Sequence, residues 1–392
     1  MGTTSQSGPS EPRRPRTVLE HQIREVRKET LQEFTEYAER FARDHGEPGT
    51  LSQRHLERLV AGRGPNGKPL GKPRPATARL LEHIFGMSID VLLSPYVPDE
   101  DRAELDATEQ EFRARIRTSA RVDAGVIEAL RQQLPLIRRL DRQLGARVVQ
   151  AEVEAKVRQV TDLMQHSTMP STRAKLAALL CELCTLAGWQ ALDRAQLATA
   201  WQYYEQAKAA AREAGDKAYE AHATAEQAFV LIDMGETRDA VEQLIHIRSG
   251  VRRYAPCGLA AWLAAACGEA YAAASRYDSA LRAFDEADAL LASSEQKASY
   301  PYIVLDTVHL ARWRGNALAR LGRSEAIPVL REALNNLDRS FSRAEASMRV
   351  DLVIAMCRND MVEGVHVHKR RACELIETIG SQRQWRRLAD LI

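Results

Sequence analysis

A chain of 392 residues is too long for one ordinary hydrophobic core, so two or three structural units are expected. Its 45% apolar residues can bury a large interior, and the absence of any run of 18 apolar residues argues against a membrane-spanning helix. A net charge of +2 speaks neither for nor against nucleic acid, so the placement of charge matters more than its sum.

Residues 1–16 are rich in Ser, Pro and Arg and lack the apolar stretch of a secretory signal. A disordered tail on a soluble, cytoplasmic protein is expected. From Thr17 to Val97 a short helical domain follows, broken by turn residues. Thr30-Leu31-Gln32-Glu33 has capping-box form, in which the Thr hydroxyl takes an orphan amide and the Glu reaches back. It opens a helix through Phe34, Tyr37, Ala38 and Phe41, which Gly46-Glu47-Pro48-Gly49 ends. Ser52 can cap a second helix, Gln53 to Ala61, with Leu56, Leu59 and Val60 inward and Gln53, Arg54, Glu57 and Arg58 outward. Gly62 stops it. Between residues 54 and 79 lie Arg54, Arg58, Arg63, Lys68, Lys72, Arg74 and Arg79 against the single acid Glu57, the footprint of phosphate contact or of a solvated loop. Pro75 to Phe85 forms another helix, and Gly86-Met87-Ser88-Ile89-Asp90 turns into Val91-Leu92-Leu93.

Leu56-Glu57-Arg58-Leu59-Val60-Ala61-Gly62, then Pro75, Leu80-Leu81 and Gly86-Met87-Ser88-Ile89-Asp90-Val91-Leu92, resemble the Cro/repressor (XRE) helix-turn-helix family over about 75 residues. The resemblance implies a second helix lying in the major groove of double-stranded DNA, its first residues touching base edges. Gln53, Arg54 and Arg58 match the reading positions, with Ser52 beside them. Arg pairs with guanine and Gln with adenine. Thr30, Arg63, Lys68, Lys72 and Arg74 complete the expected DNA-contacting set. Two departures stand out: Ala42 to Gly49 lengthen the turn, and Val60 occupies a position usually held by Glu.

Residues 98–168 read as a helical linker opening on Asp99-Glu100-Asp101. Val122, Val126, Ile127, Leu130, Leu134, Ile137 and Leu140 keep helical spacing, with Arg131, Arg138, Arg139 and Arg142 opposite. Such a helix must cover its apolar side, either on the rest of the chain or on a second copy in a homodimer.

From 169 to 392 the sequence repeats. Gly188, Ala228 and Gly268 stand 40 residues apart, and so do Ala200, Ala240 and Ala280; Tyr204, Leu244 and Phe284; and Ala207, Ile247 and Ala287. A displaced copy runs Gly315, Ala326, Leu330, Ala333, and a fainter one Val365, Ala372. A fixed period of this size means stacked helix pairs, each burying its face on the next. The array resembles tetratricopeptide repeats, with a period longer than theirs. The whole is expected to be all-α: a small helix-turn-helix domain, a linker helix and a tetratricopeptide-like α-solenoid.

Regulators of this combined kind sense a peptide or small molecule in the concave groove, and the resemblance carries that expectation here. The first helix of each pair would line it, giving Glu182 and Trp189, His222 and Phe229, then Trp262 and Glu269, and finally His309, Arg312 and Asn316. Trp262, Glu269, His309, Arg312 and Asn316 form the candidate ligand set, an Arg for a carboxylate and an Asn for a peptide bond. Trp189 and Phe229 read as core. Cys181 and Cys184 form the one C-x-x-C, set in the apolar run Leu176–Leu186 and read as buried. No catalytic set, cofactor motif or metal-ligand cluster is found. The alternative to a regulator is a helical-repeat scaffold that binds proteins and not DNA.

Overall fold

The computed structural model describes residues 15–63, 72–293, 303–361 and 363–390. Of the tail expected at 1–16, residues 1–14 lie outside the described residues, as does Lys68, within 64–71; the Arg16 amide donates to Glu20 at 2.8 Å. The chain is all-α, and the contacts divide it into two units that meet between Glu111 and Phe112.

The first unit contains a short helix α1 (Val18–His21) continued by a π-helical turn (Gln22–Val26), then α2 (Leu31–Asp44), α3 (Gln53–Ala61), α4 (Pro75–Phe85) and α5 (Ile89–Leu92). Both halves of the capping box at Thr30 form: its amide donates to Glu33 at 2.8 Å, and the Glu33 amide donates to the Thr30 hydroxyl at 3.2 Å. Ser52 caps α3 by accepting from the His55 amide at 3.3 Å, and Gly62 ends it at φ +65°, where a side chain would be strained. Helix α2 runs on through Asp44, so Ala42, expected in the turn, is helical and buried; the break between α2 and α3 falls at His45–Ser52. Leu19, Ile23, Phe34, Ala38, Leu51, Leu56, Leu59, Leu81 and Leu92 make one apolar core under these helices. The Val18 amide donates to the Ser94 carbonyl at 3.0 Å, tying the start of the unit to its end.

Helix α6 (Asp99–Ala120) runs through the division and leads to α7 (Ala124–Leu144) and α8 (Ala146–Gln165). Five helix pairs follow: α9 (Pro170–Asp193) with α10 (Leu197–Ala214), α11 (Lys217–Met234) with α12 (Thr237–Val251), α13 (Cys257–Ala273) with α14 (Tyr277–Ala292), α15 (Thr307–Arg320) with α16 (Ala326–Asn335), and α17 (Ser342–Arg358) with α18 (Val365–Ile379). A last short helix, α19 (Gln382–Ala389), closes the chain.

The repeat has a steric basis. A Cβ added to Gly188 would stand 2.8 Å from the Tyr204 ring, one on Gly268 2.7 Å from the Phe284 ring, and one on Gly315 2.5 Å from Leu330. These three pairs are therefore each seated by a bulky residue of the second helix pressed onto bare backbone of the first. Tyr204, Phe284 and Leu330 are all fully buried. Successive first helices α9, α11, α13, α15 and α17 pack side by side and form the inner wall of the solenoid.

Helices α7 and α8 are part of this body. Val122, Ile127, Leu134 and Ile137 share a core with Val153, Val157 and Val160 of α8 and with α9. The basic side of α7 is not wholly solvated: Arg138 is buried and paired with Glu182 at 2.9 Å. At the other end of the array, α17 and α18 also contact α7, and α19 contacts α9, so the solenoid curls until its two ends meet. Among the described residues one helix, α9, is long and apolar enough to cross a membrane by length and composition, but 83% of that stretch is buried inside the fold. It is the central core helix. Cys181 and Cys184 lie within it, both buried, and burial pushes the Cys181 thiol up to about 12.

Candidate functional site

Each unit carries one candidate. In the first, α3 divides cleanly: Leu56, Leu59 and Val60 are buried, while Ser52, Gln53, Arg54, Glu57 and Arg58 are exposed. The alternation follows from helical spacing, since positions three and four apart share a face. Gln53 Nε2 donates to Glu57 at 3.1 Å, and Arg58 Nε donates to the Arg54 carbonyl at 3.3 Å, so the guanidinium tips stay in solvent. Arg63 and Arg74 are exposed as well. Lys72 pairs with Asp90 at 2.9 Å, both side chains largely solvated. His55, between the two faces, has its pKa lowered by burial and then by the Arg58 and Arg74 charges.

The second candidate is a cavity of about 1470 Å³ on the inner wall of the solenoid, a figure that includes the solvent at its mouth. Trp262, Glu269, His309, Arg312 and Asn316 all line it. So do Trp189 of α9 and His222 and Phe229 of α11, and Trp189 is half-buried rather than fully enclosed. Glu182 stands just behind, holding Arg138 and accepting from the Tyr219 hydroxyl at 2.8 Å.

One side of the cavity is aromatic. Trp262 and Trp313 meet edge to face at 5.6 Å, Phe229 lies 5.7 Å from Trp313, and His222 lies 4.8 Å from Trp262. Burial, with Arg138 nearby, holds the His222 pKa down to about 3, so the ring is neutral.

The other side is ionic, and most of it closes the ring of helices. Arg343 grips Asp141 of α7 through two hydrogen bonds, 2.8 and 3.0 Å, and stands 3.4 Å from Asp193. The Ser381 hydroxyl donates to Asp193 at 2.6 Å. Arg383 of α19 holds Asp233 of α11 through bonds of 2.5 and 2.7 Å, and Arg387 holds Asp351 of α17. Asn316 Nδ2 also donates to Asp351, at 2.8 Å, so its amide nitrogen is already engaged. His309 Nδ1 bonds Asp306 at 2.9 Å, which helps hold that carboxylate down to about 2. Two acids lack such anchoring. Burial pushes Glu226 and Glu269 each up to about 7 despite nearby arginines.

Sequence reasoning missed Arg320, Trp313, Arg343, Arg383 and Arg387. Arg320 and Asn316 are four residues apart, as are Asn316 and Arg312, so the stripe on α15 could have been extended by one turn. The α19 arginines had no local signal, because they arrive only when the solenoid curls. Among the described residues, no group of three His, Cys, Asp or Glu side chains could hold a metal ion.

No protein-family model and no curated protein matches the chain. Among solved structures it is similar to the apo form of the quorum sensor NprR from B. thuringiensis. That likeness spans 75% of this chain and 76% of the other, at 12% identity and a TM-score of 0.41.

Proposed function

We propose that the chain is a sequence-specific DNA-binding transcriptional regulator whose helical-repeat unit senses a peptide or small molecule. The observation that carries this is the face of α3, with Gln53, Arg54 and Arg58 solvent-exposed above a buried apolar flank. In this reading α3 lies in the major groove of double-stranded DNA, as the second helix of a helix-turn-helix. Arg54 and Arg58 read guanine and Gln53 reads adenine. Thr30, Ser52, Arg63, Lys68, Lys72 and Arg74 position the domain on backbone phosphates. The solvated Lys72–Asp90 pair costs little to exchange for a phosphate.

The regulator works in the cytoplasm as a homodimer. Its contact is the stripe Leu136, Leu140 and Leu144 on α7, continued by Val148, whose residues are 40–63% exposed. Two-fold symmetry would place two α3 helices on palindromic half-sites. Trp262, Glu269, His309, Arg312 and Asn316 face the effector in the cavity. Selection of retained fragments from a random DNA pool tests the reading, with the Arg54→Ala/Arg58→Ala double variant as the control. An enriched motif lost in that variant supports it; equal retention by both proteins refutes it.

A further inference from the structure

Two cations of the solenoid cavity make no close ion pair among the described residues, although carboxylates act on both at longer range. Arg138, Arg343, Arg383 and Arg387 are each held by a carboxylate. Arg312 and Arg320 are not. Their Nε atoms are buried without a hydrogen-bond partner, and neither side chain forms an ion pair with any described residue. Both side chains line the cavity. They stand eight residues apart on α15, hence on one face, roughly 12 Å apart along the axis. Burial lowers the pKa of both, outweighing the pull of Glu269, Asp351 and Asp306 on Arg312 and of Glu269 and Asp233 on Arg320. Glu269, the carboxyl that acts most on both, is itself pushed up to about 7 and supplies only part of a negative charge near neutral pH.

A half-buried cation without a close carboxylate is costly, and such groups persist where something else completes them. The Arg312 guanidinium stands 5.9 Å from the centre of the Trp313 ring, with Trp262 and Phe229 edge to face behind it, an apolar corner. Cationic and aromatic walls therefore face one space.

We propose that this cavity takes an organic anion with an apolar, ring-sized body. The carboxylate or phosphate head is held by Arg312 and Arg320, and the body lies on Trp262, Trp313 and Phe229. The inference rests on the reading of the cavity as the effector site and adds the charge class of the effector. A guanidinium can hold either head through two parallel hydrogen bonds, so both heads share one chemistry.

Three probes with one body separate the possibilities: 2-naphthoate, 2-naphthyl phosphate and the neutral 2-naphthamide, titrated into the full-length protein. Binding is followed by calorimetry and by quenching of the cavity tryptophans. At least one anion is expected to bind about tenfold or more tighter than the amide, and the tighter of the two identifies the head. In Arg312→Gln/Arg320→Gln that preference is expected to vanish. Should the double variant fail to fold, the comparison of the three probes on the unaltered protein still decides. Equal binding of amide and anions overturns the charge assignment and leaves the effector cavity standing. Quenching by none of the three overturns both. A preference that survives in a folded double variant overturns the role of these two arginines.

Discussion

Alanine at Gly268 and alanine at Gly250 should change stability in opposite directions. Both glycines are helical, and in an open position Gly→Ala stabilises a helix by about 0.5–1 kcal/mol. Gly250 on α12 meets nothing within 4 Å of its would-be Cβ, so Gly250→Ala should show that gain. At Gly268 the same methyl would stand 2.7, 2.8 and 2.9 Å from three atoms of the Phe284 ring, which is itself 1% exposed. Three ring atoms cannot all retreat by rotation, so the ring or the α13–α14 pair must shift. Overpacking of this kind costs about 1–3 kcal/mol, more than the helix propensity returns. Gly268→Ala should therefore destabilise by up to about 2 kcal/mol, and adding Phe284→Leu should recover part of the loss. Urea unfolding followed by circular dichroism measures this, read as midpoints because a repeat array need not unfold in one step. A Gly268→Ala protein as stable as Gly250→Ala, or no coupling with Phe284→Leu, would refute the steric account of the repeat.

Other outcomes follow from the same geometry. Arg383→Ala strands the partly buried Asp233 carboxylate and should cost up to about 3 kcal/mol, whereas Arg383→Met with Asp233→Leu should cost far less, which thermal melting can compare. Glu269 has a folded pKa raised to about 7 from an ordinary 4.5, so the folded state binds more protons between those values. Its contribution to stability is full below about pH 4.5 and is lost as pH rises through 7; Glu269→Gln should flatten the fall in melting temperature between pH 5 and 8 by the equivalent of up to about 3 kcal/mol. Leu136→Glu with Leu140→Glu should convert the proposed dimer to a monomer in light scattering at micromolar concentration, leaving the circular dichroism spectrum unchanged.

Local chemistry made much of the fold legible. The Thr30–Glu33 box, the Ser52 cap, the Gly62 stop and the 3.6-residue spacing of Leu56, Leu59 and Val60 each involve residues a few positions apart, and each forms. The 40-residue period was readable because Gly188, Gly268 and their bulky partners repeat a close approach that only a missing Cβ permits. The extension of α2 through Asp44 was not, because Ala42 fits a turn or a helix and only its burial decides. Of the candidate cavity, the five residues on α13 and α15 were visible as inner-face positions. Arg343, Arg383 and Arg387 meet Asp141, Asp233 and Asp351 across sequence separations of 202, 150 and 36. No local pattern encodes contacts that depend on how far the solenoid curls. The same holds for Arg138, which reads as part of a solvated face until Glu182 is brought beside it.

Sequencing the fragments that the purified protein retains from a random pool, at moderate salt, decides whether α3 reads DNA. The expected result is a reproducible enriched motif, guanine-containing and two-fold symmetric, that disappears with Arg54→Ala/Arg58→Ala, since each bidentate contact is worth about 1–3 kcal/mol of discrimination. No enrichment over the input pool, or an identical motif from the double variant, would contradict it.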